Sequence, residues 1–441
     1  MRDAGNELDC DVLVIGGGPA GSTAATLLAR RGRTVLLLEK DRHPRFHIGE
    51  SLLPCNLPIF DTLGVMEKVR ALGVVKHGAD FESGDGYQTF HFRRALGDSP
   101  PHAFQVKRED FDAMLFAHAR ENGVDAREGV KVESVALGGI GNVVAQATDA
   151  DGAPLTVRAK YVIDASGRDT LLGSALKIKH RNPSHQSAAI FAHFTGVERR
   201  PGEDAGNISI YNFAHGWSWF IPLPDGIMSV GCVCWPEYLK QRRGRNEEFL
   251  LATLDSMPDA ARRMKNATMV SEVRVTGNYS YSCERMAGPG WIMAGDAFAF
   301  VDPVFSSGVY LAMHGATQAA GVVDAALAEP AREAALQRAF ARRIRRGIRV
   351  FSWFIYRFNS PVMRGLFASP RNVWRVEDGV ISMLAGDVFD SGPVRLRLAL
   401  FKAIYAIGGL LMLPRFVRDL ANRRRQARYR FSGGNTPVDP C

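Results

Sequence analysis

Near its beginning the chain alternates between apolar runs and stretches of small residues, in a pattern that predicts a strand, a helix and a second strand. Residues 12–15 form an apolar run typical of a buried parallel strand, and residues 35–38 form another. Between them lie a glycine-rich turn at 16–21 and small or apolar residues at helical spacing over 24–28. This order predicts a parallel βαβ unit.

The turn of this unit has the G-x-G-x-x-G spacing of dinucleotide-binding turns. Glycines let the backbone approach a pyrophosphate, and the N-terminus of the following helix presents free N–H groups to it. Glu39 ends the second strand, where its carboxylate can accept hydrogen bonds from a ribose. The spacing alone does not distinguish FAD from NAD. The predicted contacts of this unit are Gly16, Gly18, Pro19, Ala20, Gly21 and Glu39.

Two later segments also pass from an apolar strand into a turn of small residues. Residues 161–164 lead into Ala-Ser-Gly-Arg at 165–168, and residues 291–293 lead into Gly-Asp at 295–296. Ligands gather at the carboxyl ends of strands in doubly wound folds, so we expect these turns, and the loop after Glu39, to face the same nucleotide. The further predicted cofactor contacts are Lys40, Arg45, Ser51, Arg108, Asp164, Gly295 and Asp296.

The middle and the end of the chain have different periodicities. Residues 186–235 alternate between apolar and polar positions and are rich in aromatics, which predicts an antiparallel sheet with one buried face. Apolar residues recur at helical spacing over 336–351. We therefore predict an α/β fold with a doubly wound, Rossmann-like domain at 8–175 and 270–328, in which small strands over 76–105 contribute to the substrate side. An inserted antiparallel-sheet substrate domain at 176–269, a helical C-terminal region at 329–425 and a flexible tail at 426–441 complete the prediction.

Charge is distributed unevenly along the 441 residues. The net charge is +9, yet residues 331–441 alone contain 21 Lys and Arg against 7 Asp and Glu. The basic C-terminal region could meet an acidic partner, although a solvated helix face is the simpler interpretation. It lacks the interleaved aromatics that favour nucleic-acid binding. Scattered cysteines without C-x-x-C spacing predict no metal site, and a polar N-terminus without a long apolar segment predicts a cytoplasmic protein with no transmembrane segment.

Three motifs in order, GGGPAG, VIDASGR and MAGDAFAFVDPVFSSG, resemble those of the FAD-dependent aromatic hydroxylase superfamily. The resemblance implies an FAD-binding Rossmann-like domain in which Asp296 binds the ribityl chain. The W-x-W-x-I-P stretch at 217–222, together with FHIGES at 46–51 and VKHGA at 75–79, is similar to flavin-dependent halogenases acting on phenols and carrier-tethered aromatics.

The halogenase resemblance assigns expected roles. Lys76 matches the subgroup's essential lysine, which relays hypohalous acid formed when chloride or bromide attacks a flavin C4a-hydroperoxide. The partition between flavin and substrate is expected at Trp217, Trp219, Ile221 and Pro222. Backbone N–H groups of Ser307 and Gly308 are a candidate halide site, and the alternative for that segment is a plain helix cap. Glu50 is a candidate polar contact at the halogenating end of the channel.

One departure narrows the expected substrate. The tryptophan-specific subgroup has a glutamate close before the Ser/Thr-Gly pair, whereas this chain has Phe305 there. That favours a phenolic or pyrrolic ring, free or tethered to an acyl or peptidyl carrier protein, over free tryptophan. The expected co-reactants are O2, halide and FADH2 from a separate flavin reductase. The alternative is an aromatic hydroxylase or a geranylgeranyl-reductase-like enzyme of the same fold, because related reductases carry a similar aromatic strand.

Overall fold

The computed structural model describes residues 7–84, 86–182, 186–277 and 280–411, and the predicted tail at 426–441 lies outside them. Within these ranges the strands are β1 Glu7–Ile15, β2 Val35–Glu39, β3 Gly73–Lys76, β4 Gly78–Ser83, β5 Gly86–His91, β6 Ala103–Val106, β7 Asp125–Glu128, β8 Lys131–Leu137, β9 Val143–Thr148, β10 Pro154–Asp164, β11 Lys179–Arg181, β12 Ala188–Thr195, β13 Ile208–Phe213, β14 Gly216–Pro222, β15 Met228–Cys234, β16 Thr268–Met269, β17 Arg274–Gly277, β18 Tyr281–Cys283, β19 Ala287–Gly288, β20 Trp291–Met293 and β21 Ala299–Phe300.

The helices that cover the two sheets precede a helical C-terminal part. In chain order, the helices are α1 Pro19–Ala29, α2 Leu57–Leu63, α3 Met66–Leu72, α4 Arg108–Glu121, α5 Leu171–Ala175, α6 Pro236–Leu239, α7 Asn246–Asp255, α8 Pro258–Met264, α9 Gly308–Ala328, α10 Glu333–Ile355, α11 Pro361–Ala368, α12 Val376–Ala385 and α13 Gly392–Leu411. In the described part of the chain, no helix is both long enough and apolar enough to cross a membrane.

The first sheet has the strand order β19-β20-β10-β1-β2-β7, with the β8–β9 meander attached to β10. Strands β20, β10, β1, β2 and β7 run parallel. Their apolar runs are buried on both faces because α1, α4 and α9 cover the sheet. This is the doubly wound architecture predicted from the apolar runs.

The second sheet has the order β16-β12-β15-β14-β13-β4-β5, with β17 beside β12. It is antiparallel except where β13 pairs with β4 in parallel. Strands β4 and β5 come from residues 78–91, and β17 comes from residues 274–277. The sheet therefore takes strands from both sides of the predicted insertion at 176–269. One face packs on the main core, and the other covers a second core with α7 and α8.

Of the C-terminal helices, α10 packs on α9 and α11 packs on the second sheet. Helix α10 buries Phe340, Ile344 and Phe351 along the stripe predicted from its sequence. Helix α11 places Phe367 against Phe81 and Phe90 of the second sheet. These contacts confirm the α/β fold class with its helical C-terminal part.

Candidate active site

A cavity of about 840 Å³ lies where the carboxyl ends of β1, β2, β10 and β20 meet the face of the second sheet. We call it the large cavity. Predicted contacts that line it are Gly16, Gly18, Pro19, Ala20, Glu39, Lys40, Arg45, Glu50, Ser51, Arg108, Trp217, Trp219, Ile221, Asp296 and Gly308. Residues far apart in the sequence therefore meet at one edge of the parallel sheet, as the strand pattern implied.

The glycine turn is shaped by close backbone contacts. Gly16 has φ +102°, and a Cβ there would lie 2.4 Å from the Ala165 carbonyl oxygen. A Cβ on Gly21 would lie 1.8 Å from the Gly16 carbonyl oxygen, so Gly21 packs the helix on the strand and does not line the cavity. Gly18 caps α1 and faces the large cavity with its helix N–H groups.

Glu39 is held in place by backbone donors. Its carboxylate accepts hydrogen bonds from the N–H of Gly17 at 2.7 Å and of Asp41 at 3.0 Å. Arg45 lies 3.3 Å away and also pairs with Asp112 at 3.5 Å. A buried carboxylate fixed in this way at the end of β2 is suited to accept hydrogen bonds from a ribose.

Arg108 and Asp112 form the most buried ion pair of the cavity wall. Two nitrogens of Arg108 each donate to an Asp112 oxygen at 2.9 Å, and its third nitrogen donates to the Ile48 carbonyl. Burial would raise the pKa of Asp112, but the Arg108 guanidinium outweighs it and holds that pKa below its usual range. The pair fixes the loop at 45–51 against α4, and its partner Asp112 was not predicted.

Besides Gly21 and Lys76, four predicted site residues lie outside the lining of the large cavity. Asp164 uses both carboxylate oxygens to accept the N–H groups of Ser166 and Leu172, so it holds the turn after β10. Gly295 has φ +61° and packs against Ala312. The other two are Pro222 and Ser307. Asp296, next to Gly295, does line the cavity, and burial raises its pKa to about 6.

Trp217 and Trp219 form an aromatic wall on the second-sheet side. Alternation along β14 puts both rings on one face, where their centroids are 5.7 Å apart. The Trp219 indole N–H donates to the Ser229 hydroxyl at 3.2 Å. Ile221 continues the wall, whereas Pro222 points away from it.

Lys76 lies in a separate, much smaller space, which we call the lysine compartment. Its volume is about 10 Å³, and its lining consists of Leu53, Lys76, Ala79, Phe81, Phe92, Ile208, Ile210, Val304, Phe305, Ser306 and Leu384. Lys76 is 1% exposed, and its Nζ donates to the Ser51 hydroxyl at 2.9 Å and to the Leu52 carbonyl at 3.1 Å. Burial lowers the pKa of Lys76 to about 7.

Two residues belong to the lining of both spaces. Ile208 and Ser306 face the large cavity on one side and the lysine compartment on the other. Ser306 has φ +56° in the turn that precedes α9. The lysine therefore lies one wall away from the large cavity.

Glu50 has a partner that the sequence did not indicate. Its Oε1 lies 2.7 Å from Nε2 of His193 on β12, and its Oε2 is buried without a hydrogen-bond partner among the described residues. Burial would lower the pKa of His193, but the Glu50 carboxylate raises it above its usual value. The sequence gave no signal of this role for His193, because its partner Glu50 is distant along the chain.

The start of α9 is the candidate halide site. Gly308 begins this 21-residue helix and lines the large cavity, while the Ser307 hydroxyl is buried without a hydrogen-bond partner among the described residues. Ser307 is the N-cap residue of α9, but its side chain makes no capping hydrogen bond. Helix N–H groups beside the large cavity favour an anion there.

The residues of the large cavity fit a bound FAD. A glycine turn at a helix N-terminus suits a pyrophosphate, Glu39 suits a ribose, and a large cavity continues past Asp296 to the aromatic wall. Across the described residues, no cluster of three His, Cys, Asp or Glu side chains could hold a metal ion.

The model of the FAD binding domain family matches residues 9–353. A 1H-pyrrole-2-carbonyl-[peptidyl-carrier protein] chlorinase from Pseudomonas fluorescens is 32% identical over 409 residues, covering 86% of this chain and 90% of that protein. This chain belongs to the flavin-dependent halogenase family. A tryptophan 2-halogenase from Chondromyces crocatus is 39% identical over 325 residues, which are 72% of this chain and 61% of that halogenase. The matched region thus spans less than two thirds of that halogenase's length.

Solved structures agree with this placement among the halogenases. The myxobacterial chondrochloren halogenase CndH has a TM-score of 0.76 at 32% identity, covering 91% of this chain and 97% of that one. A flavoprotein/dehydrogenase from Cytophaga hutchinsonii has a TM-score of 0.84 at 28% identity, covering 91% of this chain and 99% of that one. The fold is therefore shared with halogenases and with another flavoprotein, so the activity has to be argued from the site.

Proposed function

We propose that this protein chlorinates or brominates an electron-rich aromatic ring, using O2, halide and FADH2 from a separate flavin reductase. The observation that carries the proposal is a buried lysine in an apolar compartment, one wall away from a cavity that fits FAD. Reduced FAD would supply the electrons that activate O2 for oxidation of the halide. The other steps depend on residues of the chain.

Lys76 would direct the oxidised halogen. Hypohalous acid is diffusible and indiscriminate, so a selective enzyme has to hold it beside one ring carbon. An ammonium can hydrogen-bond the oxygen of hypohalous acid, and a neutral amine can form a haloamine. With a pKa of about 7, Lys76 populates both forms near neutral pH, and no opposite charge in its compartment neutralises it.

The aromatic wall and the start of α9 would hold the substrate and the halide in separate places. Trp217, Trp219 and Ile221 would hold the aromatic substrate away from the flavin, so that activated oxygen does not reach the ring directly. The N–H groups at the start of α9 would hold the halide in the large cavity. Phe305, packed against Phe358 and Phe367, makes the substrate side apolar and suits an uncharged phenolic or pyrrolic ring, for which the compartment of about 10 Å³ would have to widen.

The substrate ring is either free or tethered to a carrier protein. Helix α10 has exposed arginines opposite its buried stripe, and the Pseudomonas fluorescens relative is by name a chlorinase of a pyrrole on a peptidyl carrier. An acidic carrier would be attracted to this face, and screening by salt would weaken that attraction. We expect turnover of a carrier-bound substrate to decrease as the salt concentration rises, while turnover of the matching free acid stays constant.

Reconstitution tests the proposal. Purified protein receives FAD, a flavin reductase, NADH, O2 and bromide or chloride, together with phenolic and carrier-tethered pyrrolic substrates, and products are analysed by mass spectrometry. We expect halogen isotope patterns that depend on halide and on reductase. Products that are only oxygenated or reduced would instead establish the alternative, an aromatic hydroxylase or a reductase of the same fold.

A further inference from the structure

Ser51 lies between the two spaces of the site. It lines the large cavity, and its hydroxyl oxygen accepts a hydrogen bond from Lys76 Nζ at 2.9 Å. It is 4% exposed, and it was predicted from the sequence as a cofactor contact. Its position between cavity and lysine allows a second role, which depends on how the surrounding backbone holds it.

The backbone around Ser51 is fixed by strand pairing. Ser51 forms a β-bridge with Gln105 of β6, and hydrogen bonds link Val106 to Glu50 and Leu52 to Phe104. Strand β6 also pairs with β3, which ends in Lys76. The segment 50–52 and Lys76 are therefore both paired with β6, and this fixes the distance between them.

Lys76 has three positions for hydrogen on its nitrogen, and two of them are taken. Ser51 and Leu52 accept two N–H groups, which leaves the third position for the lysine compartment. The other lining side chains of that compartment are aliphatic or aromatic apart from the Ser306 hydroxyl, and none is charged. Among the described residues, only Ser51 and Leu52 therefore orient the amine by conventional hydrogen bonds.

We propose that Ser51 is the positioning residue of Lys76. Its hydroxyl, with the Leu52 carbonyl, orients the third hydrogen position of the amine toward the lysine compartment. This rests on the proposed function for its purpose, but its geometry does not. Ser51 also lines the large cavity, whereas Lys76 does not.

The test compares Ser51→Ala with Ser51→Thr, which keeps the hydroxyl and adds one methyl group. Ser382→Ala is the control, because it also removes a fully buried hydroxyl that accepts a backbone hydrogen bond, from Leu96. Three quantities are measured for each variant: the titration of Lys76, the affinity for FAD, and the fraction of oxidised halogen that reaches an aromatic substrate.

Lys76 is titrated by NMR on protein containing carbon-13-labelled lysine, with its signal assigned from its loss in Lys76→Met. A hydroxyl stabilises an ammonium more than an amine, so Ser51→Ala should lower the pKa of Lys76 by about one unit. Ser51→Thr should restore the wild-type titration, and Ser382→Ala should leave it unchanged. FAD affinity should stay within about twofold in all three variants, well below the tenfold that 1.4 kcal/mol represents.

The fraction of halogen transferred is measured against a halogen trap in solution. Ser51→Ala should release more hypohalous acid to the trap, whereas Ser51→Thr should not. An unchanged Lys76 titration in Ser51→Ala, or a tenfold loss of FAD affinity in that variant, would overturn the proposal and favour a cofactor contact. If the wild type makes no halogenated product while the titration shifts as expected, the proposed function fails and the positioning role stands.

Discussion

The large cavity and the lysine compartment share a wall, but they differ in whether their buried charged side chains form ion pairs. The large cavity measures about 840 Å³ and contains paired buried charges, such as Arg108 with Asp112 and Glu50 with His193, beside Asp296, whose pKa burial raises to about 6. The lysine compartment measures about 10 Å³, and the described residues that line it include one charge without an ion-pair partner, on Lys76. Paired charges make a stable binding surface, whereas a lone buried amine costs stability and gains reactivity.

The largest expected effect is the loss of halogenated product, with FAD binding retained, when Lys76 is replaced. Lys76→Met removes the amine but keeps an unbranched side chain, so the large cavity should bind FAD as before. Loss of a group that acts on the reacting atoms commonly costs 10²–10⁴-fold, and we expect at least about a 100-fold fall in halogenated product. Product is measured by mass spectrometry and FAD binding by flavin fluorescence.

The matched control is Lys68→Met, because Lys68 lies on α3 and pairs with Glu121 away from both spaces. Wild-type product levels from Lys76→Met would show that the compartment is not the site of halogen transfer. Loss of FAD binding in the same variant would show that the two regions are not separable.

The second effect concerns the paired charges of the large cavity. Arg108→Met leaves the Asp112 carboxylate buried without its main partner, and we expect it to lower the free energy of unfolding by about 3–5 kcal/mol near pH 7. The pKa of Asp112 is held low in the folded protein, so its contribution is present above the ordinary aspartate value and is lost as the pH falls through the folded value.

The difference between wild type and Arg108→Met should therefore shrink in acid. Urea unfolding at neutral and acidic pH measures it. The double variant Arg108→Met with Asp112→Leu removes both charges and should recover much of the loss. A double variant as unstable as the single one would show that packing, and not the charge pair, holds this wall.

The large cavity could be predicted from the sequence to a greater extent than the lysine compartment, and the reason is physical. The large cavity follows from local patterns: an apolar strand, a small-residue turn and a terminal acid predicted the parallel sheet and the positions of Glu39 and Asp296. Gly21 and Asp164 were predicted as contacts but support the turns, because the same residue types serve packing and binding in such turns.

The lysine compartment could not be predicted from periodicity. Val75 and Lys76 lie on a four-residue strand, and an isolated lysine is usually exposed. The resemblance pointed to Lys76, but its burial depends on Phe92, Phe305 and Leu384, which are distant in the sequence. The Glu50–His193 pair escaped prediction in the same way, since it joins a loop to a strand of the other sheet.

The third effect is on stability in the lysine compartment, and its sign is opposite to that at Asp112. The pKa of Lys76 is about 7 in the folded protein and near 10.4 in the unfolded chain, so between these values the unfolded state binds more protons. Stability from this group rises with pH across that window. Lys76→Met should therefore be more stable than wild type near pH 7, by a few kcal/mol, with a smaller difference near pH 10.

Urea unfolding at both pH values measures this difference, with Lys68→Met again as the control. A difference that is constant with pH would mean that Lys76 keeps its ordinary pKa and that the compartment is wet.

The smallest effect is expected at the aromatic wall, where Trp217→Phe keeps an apolar ring of smaller size. A thinner wall should let some hypohalous acid escape, and the ratio of trapped halogen to ring product should rise a few-fold. Trp353→Phe, in α10, is the control, because Trp353 packs against Phe354 and Tyr405 outside both linings. Oxygenated product, sought by mass spectrometry, should stay absent even in Trp217→Ala, since the ring would still bind beside Lys76. Oxygen insertion in that variant would mean that the wall alone, and not the lysine compartment, separates halogenation from hydroxylation.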